Sequence, residues 1–323
     1  EKRVWGVLVA VLSKKKKPMS RYAVIDLGTN TFHLLIVEKS TPDAPPVEVY
    51  RERRFVKLAE AGIEKIGPEP WKRGIETIEA YAQKIKEWKV GHVRAVGTAA
   101  LREAENGAAF IREIFDRTGI AIELISGEEE ARLIYLGVRA AISENGAANL
   151  IMDIGGGSVE FIFFDQKGIQ KAFSFPVGVA VLYRKFHRHE PILPEEINAL
   201  ETFLTQTLKP LIEELPRHTS LRLIGASGAF EVVENMLETR RRSGPVAYAP
   251  ASDFSKIYSR VVGASLEERL QMEGIPAIRA DLIVVAFILI RFILERADIK
   301  EIVVCDYALK EGVLFEMFEA ARD

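Results

Sequence analysis

The sequence predicts a duplicated α/β protein whose two domains face one another across a cleft, and three observations carry that reading. First, "AVIDLGTNTFHLLIVE" (23–38) and "LIMDIGGGSVEFIFFD" (150–165) share one plan: an apolar strand, an aspartate, a glycine-bearing turn and an apolar return strand. Asp26 aligns with Asp153, Gly28 with Gly155 and Thr31 with Ser158 at one offset of 127 residues, and such a repeat at domain-sized separation argues for duplication. Second, 323 residues exceed one compact core at roughly 150 residues per domain. Third, strand-like and helix-like segments alternate in both halves.

Taken in order, residues 1–18 read as a tag or upstream remnant. They contain a short apolar run followed by four lysines, the reverse of a secretory signal, and Met19 is the preferred native start. The first domain, 19–145, opens with the first hairpin, and "VEVYRERRFVKL" supplies a third strand. A helix at about 70–88, strand "HVRAVGT", helix "NGAAFIREIFDRTG", strand "AIELIS" and helix "EEEARLIYLGVRAAI" follow, with "SENGAAN" (143–149) as the boundary. The second domain, 146–323, opens with its own hairpin and "IQKAFSFPV". Helices near 178–187 and 194–213, strand "LRLIGAS", a helical stretch through 281–295, strand "EIVVCD" and a closing helix near 308–321 complete it; that last helix is expected to pack back on the first domain. "RRRSGPVAYAP" (240–250) reads as an exposed loop.

Composition narrows the partners. The chain is 48% hydrophobic and 28% charged with net charge −2, so it lacks the basic excess of a nucleic-acid binder, and an anionic ligand must be met by a local site. The apolar run "LIVVAFILI" (282–290) is too short to span a bilayer and reads as a buried helix. One cysteine, Cys305, excludes an internal disulfide and a cysteine-based zinc site, which fits a reducing, cytoplasmic setting; it reads as a buried strand residue. The five histidines show no metal-ligand spacing, so any metal would take oxygen ligands; His187 and His189 read as a solvated basic patch.

Two hairpins facing each other suit a phosphate chain. Turn N–H groups bind phosphate oxygens, and Asp26 and Asp153 hold a divalent cation between them. Gly28, Gly155, Gly156 and Gly157 permit close approach, while Thr29, Asn30, Thr31 and Ser158 add short polar groups. Between the hairpins lies "ISGEEEARLIYLGV" (125–138). Ser126 and Glu129 form a Ser-x-x-Glu capping box, which leaves Glu130 unexplained by helix capping. A carboxylate there can accept a proton from a water attacking phosphorus. In "GTAALREAENG" (97–107), Arg102 can pair with phosphate and Asn106 can cap the next helix or meet ligand.

These stretches, with "GTAALREAENGAAF", "LIGASGAFE" and "YALKEGVL", resemble the exopolyphosphatase and guanosine pentaphosphate phosphohydrolase family, in order from about residue 20 to 315. The resemblance implies two actin-like, ribonuclease H-like domains and the short two-domain form. It implies hydrolysis of terminal phosphate from inorganic polyphosphate, or from the 5′ end of guanosine pentaphosphate, with Mg²⁺ or another divalent cation such as Mn²⁺. It also implies Glu130 as base with Asp153, metal and phosphates near Asp26, Asp153 and Glu160, Arg102 in the cleft, and a homodimer. His33 and Ala180 stand where many members carry arginine. Two other functions keep a foothold: an ATP-using kinase, with "GASGAF" (225–230) as its adenosine turn, and a non-catalytic nucleotide or polyphosphate sensor.

Overall fold

The computed structural model describes residues 20–41, 44–142, 148–238 and 240–321, so Met19, the proposed remnant 1–18 and most of the expected boundary lie outside it. Apolar runs bounded by polar turns make β1 (Ser20–Leu27) and β2 (Thr31–Lys39), and β3 (Val47–Phe55) pairs on the outside of β2. α1 (Pro68–Glu87) starts on prolines, whose fixed φ suits a first turn, and leads to β4 (His92–Gly97). A short α2 (Ala99–Glu103) and α3 (Gly107–Thr118), closed by Gly119 at φ +72°, lead to β5 (Ile122–Leu124). α4 (Gly127–Ala141) then leaves the sheet, whose order is β3-β2-β1-β4-β5.

The second half repeats this plan. β6 (Asn149–Ile154), β7 (Val159–Asp165) and β8 (Gly168–Phe175) form an antiparallel meander. α5 (Val179–Phe186), α6 (Pro194–Thr207) and α7 (Lys209–Glu214) lead to β9 (Leu221–Gly225), which lies parallel to β6. After α8 (Gly228–Met236) come the hairpin β10 (Arg241–Ser243) and β11 (Val246–Pro250), then α9 (Phe254–Val262), α10 (Leu266–Leu270) and α11 (Ile283–Leu294). β12 (Ile299–Cys305) and α12 (Leu309–Ala320) close the chain. The sheet order is β10-β11-β12-β9-β6-β7-β8. Read from β8, its strands run third, second, first and fourth, then β12 in the place of the first sheet's β5, with the β10–β11 hairpin added on the far edge. The duplication inferred from two loops therefore extends to both sheets.

Between the sheets lies a layer of two helices. Leu133, Ile134 and Val138 of α4 and Val313, Leu314 and Phe318 of α12 pack with Val24 and Leu35 of the first sheet and Ile151 and Val303 of the second. The helices cross closely at glycines: a Cβ on Gly312 would sit 1.8 Å from the Leu133 carbonyl oxygen, and one on Gly137 2.1 Å from that of Ala308. α11 is buried almost all round in the core on the outer side of the second sheet, as its unbroken apolar run requires. Among the described residues no helix is long and apolar enough to cross a membrane.

Three readings change. Residues 240–250 are not a loop: "RRSGPVAYAP" folds into β10 and β11 about Gly244 at φ +58°, and Val246, Ala247 and Ala249 are buried against the rest of the sheet. The glycine, proline and arginine run conceals a strand whose apolar face exists only once β12 is beside it. The helix expected at 194–213 breaks at Leu208, since Pro210 lacks the N–H to continue it. His187 is no surface residue; its imidazole is buried beside Glu190, whereas exposed His189 meets Glu196 at 3.0 Å.

Candidate active site

Both glycine turns close the same way: Gly28 N–H donates to Thr31 O at 3.1 Å and Gly155 N–H to Ser158 O at 3.0 Å. Their carbonyls are then occupied from outside. Val56 and Lys57 donate to Asn30 O and Leu58 to Thr29 O, while Gly178, Val179 and Ala180 at the start of α5 donate to the carbonyls of Gly157, Gly155 and Gly156. The N–H groups of Thr29, Asn30, Gly156 and Gly157 take no backbone partner among the described residues. Each turn thus keeps its acceptors engaged and its donors available, as an anion-binding turn requires. The glycines have a second reason as well, because the loops abut: a Cβ on Gly156 would lie 2.7 Å from the Asn30 amide nitrogen, and one on Gly157 2.8 Å from Ala99 Cβ.

The register places the acids. Asp26, next to last in β1, lies opposite His33 of β2, and Asp153, next to last in β6, lies opposite Glu160 of β7, so His33 and Glu160 occupy equivalent positions of the repeat. Glu160 is 1% exposed and accepts from the Ser174 hydroxyl at 2.8 Å. Glu130 lies one turn into α4 and is 7% exposed; its Oε2 has no hydrogen-bond partner and stands 3.7 Å from Arg102 Nη1. The Ser126 hydroxyl accepts from Glu129 N–H at 3.1 Å, but the Glu129 carboxylate pairs with Arg132, so only half of the expected capping box forms.

Crowding these acids in protein raises their proton affinity. Burial, foremost, lifts Asp26 from 3.8 to about 7, and Lys310 opposes the rise. Burial also lifts Glu160 from 4.5 to about 7, against hydrogen bonds from Ser174 and Ser158. Burial and then the neighbouring carboxylates push Glu130 and Asp153 well above the usual range, with Arg102 working against the shift at Glu130. Four acids are thus short of positive charge, and their oxygens are the donor type a hard divalent cation takes. Among the described residues no three acidic, histidine or cysteine side chains form a ready metal cage. Mg²⁺ does not need one, since it typically binds one or two carboxylates and fills its shell with water and substrate phosphate. The residues fit such an ion.

One cavity of about 230 Å³ is lined by Asp26, Gly28, Thr29, Asn30, Thr31, Glu130, Asp153, Gly155, Gly156, Gly157, Ser158 and Glu160. Arg102, the remaining anticipated site residue, faces an adjoining groove and donates to Ile125 O at 2.7 Å. Asn106 neither caps α3 nor faces the cavity; its amide clamps both backbone groups of Ile66 at 2.9 Å. Sequence reasoning missed the cations of the cavity: Lys310 at the start of α12, Arg53, Lys57 and Arg279. Lys310 lay in "YALKEGVL", quoted above without a role; the others are visible only in three dimensions. Arg53 and Arg279 both meet Glu231, at 3.2 and 2.7 Å, and Lys57 meets Asp281 at 3.0 Å. Cys305 also touches the cavity but is 4% exposed, and burial pushes its thiol up to about 12.

Two repeats of one strand order, each offering an aspartate and a glycine turn to a shared cavity, define a duplicated, actin-like α/β protein with a cleft between its repeats. Within that class the chain belongs to the Ppx/GppA phosphatase family, whose model matches residues 36–321. An exopolyphosphatase structure from Cytophaga hutchinsonii is 34% identical, with 93% of this chain and 98% of that one covered at a TM-score of 0.87. A Ppx/GppA family member from Aquifex aeolicus is 24% identical, covering 95% and 100% at 0.77, and shares the fold.

Proposed function

We propose that this phosphatase is an exopolyphosphatase that removes the terminal phosphate of inorganic polyphosphate. The observation that carries the reading is Glu130: a buried carboxylate lining a cavity between two turns whose central N–H groups take no backbone partner, with one oxygen that accepts no hydrogen bond and has only the Arg102 guanidinium, at 3.7 Å, beside it.

The chain end is received by the N–H groups of both turns and by Lys310, with Thr29, Thr31 and Ser158 adding hydroxyls. Asp26, Asp153 and Glu160 would hold Mg²⁺, which when bound neutralises charge on the phosphate oxygens. Glu130 accepts one proton from water as the water oxygen bonds to the terminal phosphorus. The bridging P–O bond breaks and its electron pair stays on the shortened chain. Orthophosphate is formed, and Glu130 returns its proton to solvent. General-base catalysis of this kind contributes roughly 10²–10⁴ in rate, with positioning supplying the rest.

Guanosine pentaphosphate is the second reading. The cavity lining also carries Phe55, Ile278 and Leu282, apolar surface that a nucleobase can use and a bare phosphate chain cannot.

Orthophosphate release with Mg²⁺ is the test, offering long polyphosphate, tripolyphosphate, guanosine pentaphosphate and ATP to the wild type and Glu130→Gln. The expected outcome is release from polyphosphate that falls at least roughly 100-fold in the variant while binding persists. Preference for guanosine pentaphosphate selects the second reading. Binding of any of the four without turnover refutes hydrolysis and leaves a sensor.

A further inference from the structure

A second groove, of about 750 Å³, lies behind the second glycine turn and shares Gly157 and Ser158 with the cavity as a common wall. Arg102 lines it and stands 3.7 Å from Glu130, an acid of the cavity, so the groove and the cavity are joined by one ion pair. Ser174 lines it too, and its hydroxyl holds Glu160. Gln170 and Lys171 of edge strand β8 border the same groove, the Lys171 ammonium lying over the Phe173 ring at its rim, and Glu103 and Glu128 lie on its border.

We propose that this groove is the exit for orthophosphate. The proposal rests on the hydrolase reading and follows from the order of groups along the cavity. Arg53 and Lys57, with side chains about a third exposed, mark the outer end, whereas Glu130 and Glu160 are nearly sealed. A chain entering past the cations delivers its terminal phosphate to Glu130 last. After cleavage the shortened chain stands between the new orthophosphate and the entrance. Leaving by the entrance requires the chain to dissociate first; leaving past Ser158 does not. Arg102 can follow the dianion through the wall, with Lys171 drawing it onward. The carboxylates of Glu103 and Glu128 oppose its retention, which suits passage rather than storage. The wall is thin, one glycine and one serine of a turn, and opening it requires breaking the bonds that Gly157 O and Ser158 O accept from Gly178 and Gly155.

The test compares total with free orthophosphate during the first turnovers on long polyphosphate, by acid quench and by a fluorescent phosphate sensor. It uses wild type, Lys171→Glu, Lys171→Arg and Ala172→Trp. Lys171 is exposed, so its charge reversal leaves folding intact; Ala172→Trp narrows the groove by bulk. The expected result is an unchanged rate of total orthophosphate in the first turnover, with free orthophosphate lagging on the order of tenfold and later turnovers slowed to match in Lys171→Glu and Ala172→Trp, and near-normal release in Lys171→Arg. Added orthophosphate should inhibit the wild type without competing with the chain. Coincident total and free phosphate in both blocking variants, or purely competitive inhibition, overturns the exit while leaving the hydrolase standing. A wild type that forms no orthophosphate even after quenching refutes the hydrolase and the exit with it.

Discussion

Replacing Asp26 by Asn should make the metal-free protein more stable at pH 8 than at pH 5 relative to wild type. The folded state holds the Asp26 proton more tightly than the unfolded chain, with burial raising its pKa from 3.8 to about 7. The sign follows from linkage: this contribution is fully present below pH 3.8 and is lost as pH rises through about 7. The full span corresponds to roughly 4 kcal/mol at about 1.4 kcal/mol per tenfold in proton affinity, and roughly 3 kcal/mol of it falls between pH 5 and pH 8. Asn fills nearly the same space without a charge, so it escapes the loss; it also removes one of the charges that raise Asp153 and Glu130. Urea unfolding in chelator at the two pH values measures the gap, which should also appear as a melting difference of about 4 °C for a chain of this size. Saturating Mg²⁺ at pH 8 should narrow it by stabilising the wild type. An Asn-minus-wild-type difference that is equal at both pH values would refute the idea that the cleft stores uncompensated acid.

The same crowding sets other outcomes. Mg²⁺ affinity should fall as pH drops from 8 to 6, because Asp26 and Glu160 take up protons near 7 and must release them to bind the ion; calorimetry in buffers of different ionisation enthalpy reads the released protons. The acid limb of kcat should lie above the ordinary carboxylate range, since Glu130, the proposed base, must lose its proton to act, and Arg102→Ala should move the limb further up by removing an opposing charge. Gly312→Val should cost about 3 kcal/mol or prevent folding, because its Cβ would meet the Leu133 carbonyl of the facing helix; circular dichroism melting checks this. Cys305 should resist thiol reagents until the protein unfolds, a simple spectrophotometric assay.

The glycine turns, the aspartates, Glu130 and the strand-to-helix alternation are legible in the sequence because each is local: a strand end, a turn or a helix start is set by neighbours within a few residues. The repeat at one offset extended that legibility to the duplicated sheets. Arg53, Lys57, Arg279 and Lys310 come from a strand, the segment beyond it, a loop and the start of the last helix. Nothing in their spacing announces that they meet in one cavity. His187 and the β10–β11 hairpin show the same limit, since a polar residue becomes buried and an apparent loop becomes a strand only when a distant element supplies the facing surface. The sequence by itself determined which residues were candidates for meeting phosphate and accepting a proton. Tertiary structure decided their proton affinities, because desolvation and charge crowding depend on what packs around a group in space, not on its neighbours along the chain.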